Sequence, residues 1–283
     1  MNPEPQTLLA DLAFPEGPRW REGWLYFSDM HSNHLMRVNE AGASETLAEF
    51  PNMPSGIGWQ PDGNMLVVSM KDRAVMRQEG SGFAPYADLS KVADFHCNDM
   101  VVDAKGRAYV GNFGFDLDGG ETPKGTGLIL VTTDGKARRV AEDVWFPNGH
   151  VITPDGHTLI VAETFAARLT AFDIAEDGSL SNRRVYAPLA DDVYPDGICL
   201  DAEGAIWASC AATERIIRVK EGGEVVRTVP LPGRKSFAAM LGGDDRKTLF
   251  ICTSKNSHPE KTRAQRAGRI ETLRVDVPGA GLP

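Results

Sequence analysis

The sequence predicts an all-β fold: a six-bladed β-propeller with four antiparallel strands per blade, its ring closed by the N-terminal strand. Three observations carry this. One phrase (polar turn, short strand, Gly turn, second strand) recurs six times, most legibly in Tyr194-Pro-Asp-Gly-Ile-Cys-Leu-Asp-Ala-Glu-Gly-Ala-Ile-Trp-Ala-Ser209. Successive copies begin about 40–50 residues apart, the period of propeller blades. The sixth copy lacks an evident fourth strand, whereas Thr7–Ala10 precedes the first copy without a partner. Pairing the two closes the ring and removes two exposed sheet edges.

The copies run in order. The first reads Phe14–Trp20, Trp24–Asp29 and His34–Val38, and the second Pro54–Trp59, Met65–Ser69 and Ala74–Arg77. The third opens at Cys97–Asp103 and continues through Ala108–Asn112; the fourth is Phe146–Thr153, Thr158–Glu163 and Leu169–Phe172. The fifth is the phrase above followed by Ile216–Val219. The sixth is degenerate, with Phe237–Leu241 and Thr248–Cys252, and it resumes at Arg269–Val275 after a polar stretch, 253–268, read as loop. Pro-Asp-Gly and related turns punctuate each copy, and apolar runs such as Leu159–Ala162 suit strands covered by neighbouring blades. No segment reads as a helix beyond a turn or two. The expectation is a single domain over 1–283 with a poorly ordered tail, Pro278–Pro283.

Composition narrows the function. Of 283 residues, 42% are hydrophobic, enough for a sizeable core. The net charge of −9 argues against nucleic acid or an anionic membrane as partner. Met1–Ala10 has neither a basic region nor a long apolar run, so no signal peptide or membrane helix is read there. Cys97, Cys199, Cys210 and Cys252 are far apart, with no C-x-x-C, and read as buried thiols in a reducing, cytoplasmic setting. A monomer or small homo-oligomer is expected.

In a propeller the first strand of each blade lines the central channel, so repeat-equivalent positions converge on one axis. The slot occupied by Asp196 holds Glu16, Ser55, Asn98, Asn148, Asp196 and Ala238 around the ring. Four of these are carboxylates or carboxamides, whose clustered oxygens are costly unless a cation or water satisfies them. Two carboxylates with carboxamides form a hard donor set. It suits one divalent cation, Ca²⁺ first, with Mn²⁺, Mg²⁺, Zn²⁺ and Fe²⁺ as alternatives. Few protein ligands leave positions open for water and substrate, as a catalytic site requires.

Glu16-Gly-Pro-Arg-Trp, Phe146-Pro-Asn-Gly with Pro154-Asp-Gly and Ala162-Glu-Thr, and Pro195-Asp-Gly with Gly204-Ala-Ile-Trp resemble the gluconolactonase, senescence-marker-protein and luciferin-regenerating-enzyme family over roughly residues 12–276. The resemblance implies Glu16, Asn148 and Asp196 as metal ligands, Asp196 also as the candidate catalytic base, and Asn98 as a contact to substrate or metal. It implies a metal-dependent hydrolase opening a small, sugar-derived lactone. Either Asp196 orients or deprotonates the attacking water, or a water held by the metal is the effective nucleophile. His96, two residues before Asn98, shares its strand face and is a candidate substrate donor. Several family members carry an arginine there, so the fixed charge that binds substrate oxygens is absent. Phe113 and Phe115 open an insertion, 113–125, read as a lid with apolar walls. Asp116 and Asp118 resemble half a calcium loop but read as turn chemistry. His150 reads as packed between blades, Arg19 and Trp20 as blade core, and Glu163 and Thr164 as structural. Two rivals stand: a phosphotriesterase on the same metal, and a non-enzymatic calcium- or protein-binding propeller.

Overall fold

The computed structural model describes residues 4–283, so the opening three residues lie outside it. Six four-stranded antiparallel sheets are arranged around a central channel. The innermost strands are Pro15–Arg21, Pro54–Trp59, Cys97–Val102, Pro147–Ile152, Pro195–Leu200 and Lys235–Gly242. The N-terminal strand, Gln6–Leu12, is the outer strand of blade six and pairs with Gly268–Arg274 in the register Gln6↔Thr272, Leu12↔Gly268. Ring closure therefore follows the sequence reading, and both chain ends of the sheet system are paired in one blade.

The core lies between blades. Tyr26, Leu35, Ile57 and Val67 join blades one and two; Val101, Tyr109, Ile152 and Leu159 join three and four. Cys199, Trp207, Leu241 and Ile251 join five and six. Strands covered on both faces lose the polar alternation of a half-exposed sheet, which is why Leu159–Ala162 is apolar throughout.

Each innermost strand carries a one-residue bulge beside its slot. In blade one the pairing passes from Glu16↔Ser28 to Arg19↔Tyr26, and in blade five from Pro195↔Cys210 to Ile198↔Ala208. The same shift recurs in blades two, three, four and six. A bulge bends the strand and re-aims the side chains beside it. The residue after the slot must then be small: a Cβ on Gly149 would come within 2.5 Å of the Ile198 nitrogen, and one on Gly197 within 2.5 Å of Ala238. Blade three breaks this rule with Asp99, whose carboxylate pairs with Arg19 at 2.8 Å.

Two segments differ from expectation. Within 253–268, read as loop, Pro259–Gln265 forms a helix, started by Pro at its first turn and ended at Arg266 in the left-handed conformation. Alanine-poor and only seven residues long, it is held by tertiary contacts: Thr262 meets His31, and the Arg263 guanidinium donates to the His31 carbonyl at 2.9 Å. The tail, expected to be poorly ordered, lies across blades four to six. Leu282 exchanges two backbone bonds with Ile152 (2.7 and 2.9 Å), Ala280 donates to Leu200, and Gly279 donates to Arg246. Its backbone groups thereby find partners that the sequence pattern does not announce.

Candidate functional site

A cavity of about 450 Å³ opens at one end of the channel. Four slot residues, Glu16, Asn98, Asn148 and Asp196, line it together, whereas Ser55 and Ala238 do not. All four are nearly buried, between 6 and 9% exposed. The bulges explain the convergence, because each turns its slot side chain toward the axis. Asn98 donates to the Asn148 side-chain oxygen at 3.1 Å and accepts from Ser55 at 3.4 Å. Asn148 in turn donates to the Thr164 hydroxyl at 3.3 Å, which donates to the Pro195 carbonyl at 2.8 Å. This chain of bonds fixes the orientation of both carboxamides. Thr164, read as structural from the sequence, therefore also belongs to the cavity wall.

Neither Glu16 nor Asp196 has an ion-pair partner among the described residues. Burial, and then the neighbouring Asp196 charge, pushes the Glu16 carboxyl well above its ordinary range. Burial and then Asp99 do the same to Asp196, with Asn148 and the Gly197 amide partly opposing. Among the described residues no group of three His, Cys, Asp or Glu side chains is placed to hold a metal. Two buried carboxylates flanked by carboxamide oxygens nevertheless make a hard donor set with an uncompensated charge. A divalent cation fits that chemistry, and a thiophilic one is disfavoured because every donor is oxygen.

Arg19, read as blade core, bridges three blades beside this floor. It donates to the Ile57 carbonyl at 3.0 Å, the Asp99 carboxylate at 2.8 Å and the Met100 carbonyl at 2.5 Å. It does not line the cavity. His150 is likewise absent from the wall. It is buried against Gly111 of blade three, where burial and the Arg19 charge lower its pKa to about 3. The bulge between Pro147 and His150 breaks the alternation that would have carried His150 into the cavity with Asn148.

His96 and Phe113 both line the cavity, in edge-to-face contact at 6.2 Å. Burial lowers the His96 pKa, with Lys71 adding to the effect, so its imidazole is neutral at pH 7. Phe115 is a correction. It is 1% exposed and stands behind the wall, bracing Phe146 and Phe165 at 5.8 and 5.5 Å. Gly114 turns the chain between the two rings, so they do not share a face. Asp116 accepts the Gly119 amide at 2.8 Å, which is turn chemistry as read, while Leu117 and Asp118 of the same insertion reach the cavity.

Much of the wall was not singled out in the sequence, although the repeat contains it. Two residues before the slot stand Phe14, Met53, His96, Phe146 and Tyr194, all lining the cavity. Directly after the second strands of blades one to five come Met30, Met70, Phe113, Thr164 and Ala211, which line it too. The repeat-equivalent positions thus form two collars above the slot ring. His31, a residue beyond Met30, stacks on Phe14 at 4.6 Å and shares a hydrogen bond with Thr262 at 2.7 Å.

Fold and site together define a six-bladed propeller with an oxygen-lined floor at one mouth of its channel. Residues 14–255 match the family described as SMP-30/Gluconolactonase/LRE-like region, and the chain belongs to that family. It is 26% identical over 277 residues to a 6-deoxy-6-sulfogluconolactonase of Pseudomonas putida, covering 95% of this chain and 93% of the relative. It is 26% identical over 279 residues to a pentonolactonase of Haloferax volcanii, covering 95% and 92%. A calcium-binding protein, regucalcin, from Agrobacterium tumefaciens has the same fold, with a TM-score of 0.83 at 20% identity over 100% and 97% of the two chains. Among the described residues no helix is long and apolar enough to cross a membrane.

Proposed function

We propose that this chain is a metal-dependent hydrolase that opens a small lactone, with Glu16, Asn148 and Asp196 holding one divalent cation. The observation that carries this is the pair of buried carboxylates, Glu16 and Asp196, left without a cationic partner at the floor of a substrate-sized cavity. Relatives named for lactones of sugar acids support the reaction class, and the calcium-binding fold neighbour supports Ca²⁺ as the first cation to test.

When bound, the cation supplies Lewis-acid polarisation of the lactone carbonyl and stabilises the charge that develops on its oxygen. Asp196 is the base: its carboxylate orients a water and takes one proton as the oxygen attacks the carbonyl carbon. The ring C–O bond then breaks, and the leaving oxygen takes up a proton, so the ring opens to a hydroxy acid that releases one proton at neutral pH. Asn98, held by Ser55 and Asn148, directs its amide toward substrate oxygen. Glu16 and Asn148 complete the oxygen set, while the collars exclude bulk water.

The test is a pH-indicator assay on metal-stripped protein, with Ca²⁺, Mn²⁺, Mg²⁺, Zn²⁺ and Fe²⁺ returned singly. Proton release from a lactone with one of them is expected, and its loss in Glu16→Gln and Asp196→Asn. Cation binding with turnover only of fluorophosphate esters would move the reading to a phosphotriesterase. Absence of any cation binding would remove the site.

A further inference from the structure

The cavity has a polar floor and an apolar wall, and the two ask for different parts of a substrate. We infer that the preferred lactone carries an apolar substituent, alkyl or aryl, on its ring instead of a full set of hydroxyls. This rests on the lactonase reading above.

The wall is aromatic along one side. Phe113 stacks on Phe146 at 4.5 Å, Phe146 meets Phe165 edge-on at 5.2 Å, and Phe165 meets Tyr194 at 6.0 Å. Phe115 backs this file, so the rings are fixed before substrate arrives. Across the cavity Phe14 and Phe237 pack at 4.7 Å, and Met30, Met53 and Met70 fill the space beside them. Thioethers are adaptable and accept aromatic or aliphatic neighbours alike.

Most of the exposed surface of the cavity is apolar, and part of its polar complement is already committed. The Thr164 hydroxyl is already engaged with Pro195 and Asn148. Thr262 shares a 2.7 Å hydrogen bond with Nδ1 of His31 and lies 3.0 Å from the Pro259 carbonyl, so that ring nitrogen is engaged too. That leaves the rings of His31 and His96 as neutral partners, with Lys71, Asp118, the Tyr194 hydroxyl, Lys235, Ser257 and His258 toward the rim. The floor carboxylates and carboxamides are taken by the cation and the reacting ester. A polyol ring seated against the phenylalanines would therefore bury hydroxyls without partners, each unmet group costing about 1–3 kcal/mol, a penalty of roughly fivefold to more than a hundredfold. An alkyl or aryl substituent meets no such penalty and gains with each methylene removed from water.

The experiment measures kcat/KM on metal-loaded protein for γ-butyrolactones with ring alkyl chains from methyl to hexyl, beside glucono-1,5-lactone. The expected result is a rise of roughly fourfold per methylene until the chain reaches the mouth, with glucono-1,5-lactone below the longer members. Phe113→Ser should flatten the slope and Phe113→Leu should keep it, thermal melting confirming that both fold. A flat series with glucono-1,5-lactone opened fastest overturns this inference and leaves the lactonase reading standing. No turnover of any lactone with any of the cations overturns both.

Discussion

The two floor carboxylates make a stability prediction that is independent of any substrate. Asp196→Asn keeps the shape of the side chain and removes one of two buried like charges. In the metal-free protein at pH 8 this relieves a charge that burial and Asp99 disfavour, and it eases Glu16, which Asp196 pushes up. Unfavourable desolvation of such a group is worth about 1–3 kcal/mol, and a chain of this size shifts by about 2–4 °C per kcal/mol. Metal-free Asp196→Asn should therefore melt a few degrees above metal-free wild type. The pH dependence has a definite sign. Both carboxyls have folded-state pKa values raised above their unfolded ones, so the native state binds more protons and wild-type stability falls as pH rises from the ordinary carboxylate range through the raised values. The advantage of Asp196→Asn should accordingly be large at pH 8 and vanish near pH 4, where the wild-type pair is protonated. Saturating cation should reverse the order at pH 8, because only wild type binds it tightly. Calorimetric melts of both proteins, with chelator and with cation, decide the matter. A metal-free variant less stable than wild type at pH 8 would refute the idea that the floor is held as uncompensated charge.

Other perturbations separate scaffold from site. Arg19→Met leaves Asp99 buried and unpaired and should cost about 3–5 kcal/mol in urea unfolding, with Asp99→Asn in the same chain recovering part of it. Removing residues 278–283 should abolish hydrogen-exchange protection at the Ile152 and Ala202 amides, which bond the tail, while cation affinity stays unchanged. The four cysteines are free and buried, with burial raising Cys97 and Cys199 to about 12 and Cys210 to about 11. Ellman's reagent should therefore find none reactive in the native protein at pH 8 and all four in denaturant. Glu163→Gln should loosen blade four, since the carboxylate is fully buried while accepting from Arg168, Arg183, Thr170 and the Trp145 amide; a loss of about 2–4 kcal/mol is expected.

The fold was legible because a propeller writes the same instruction six times. Second strands such as Met65–Ser69, Ala108–Asn112 and Thr158–Glu163 have the bounds that the pattern predicts, since turn residues and strand period agree there. The slot ring was legible for the same reason. What escaped was whatever depends on contacts between distant segments. The helix at Pro259–Gln265 has no apolar stripe and exists through His31, and the tail is ordered by carbonyls of three blades. The bulges went unread as well, although the glycine after most slots, such as Gly149 and Gly197, is their mark in the sequence. Without them, alternation would have sent His150 into the cavity beside Asn148. The collars were within reach: the period-two argument that placed His96 beside Asn98 applies equally to Phe14, Met53, Phe146 and Tyr194.

The layering of slot ring and collars also bears on how the site responds to change. The floor residues are coupled side chain to side chain, Ser55 to Asn98, Asn98 to Asn148, and Asn148 to Thr164. Substitutions in one hydrogen-bonded network do not add, and interaction energies of about 0.5–3 kcal/mol are usual. Asn98→Ala and Thr164→Val should therefore cost much less together than the sum of each alone in cation affinity, because both act by freeing the Asn148 carboxamide from its orientation. Met70 and Phe113 share no hydrogen bond with that network, so Met70→Leu or Phe113→Leu combined with either should be additive within about 0.5 kcal/mol. Isothermal titration of the double mutants distinguishes the cases. Additivity across the floor would mean that Asn148 is oriented by its backbone alone, and coupling between Met70 and Asn98 would mean that floor and collar are one unit and not two.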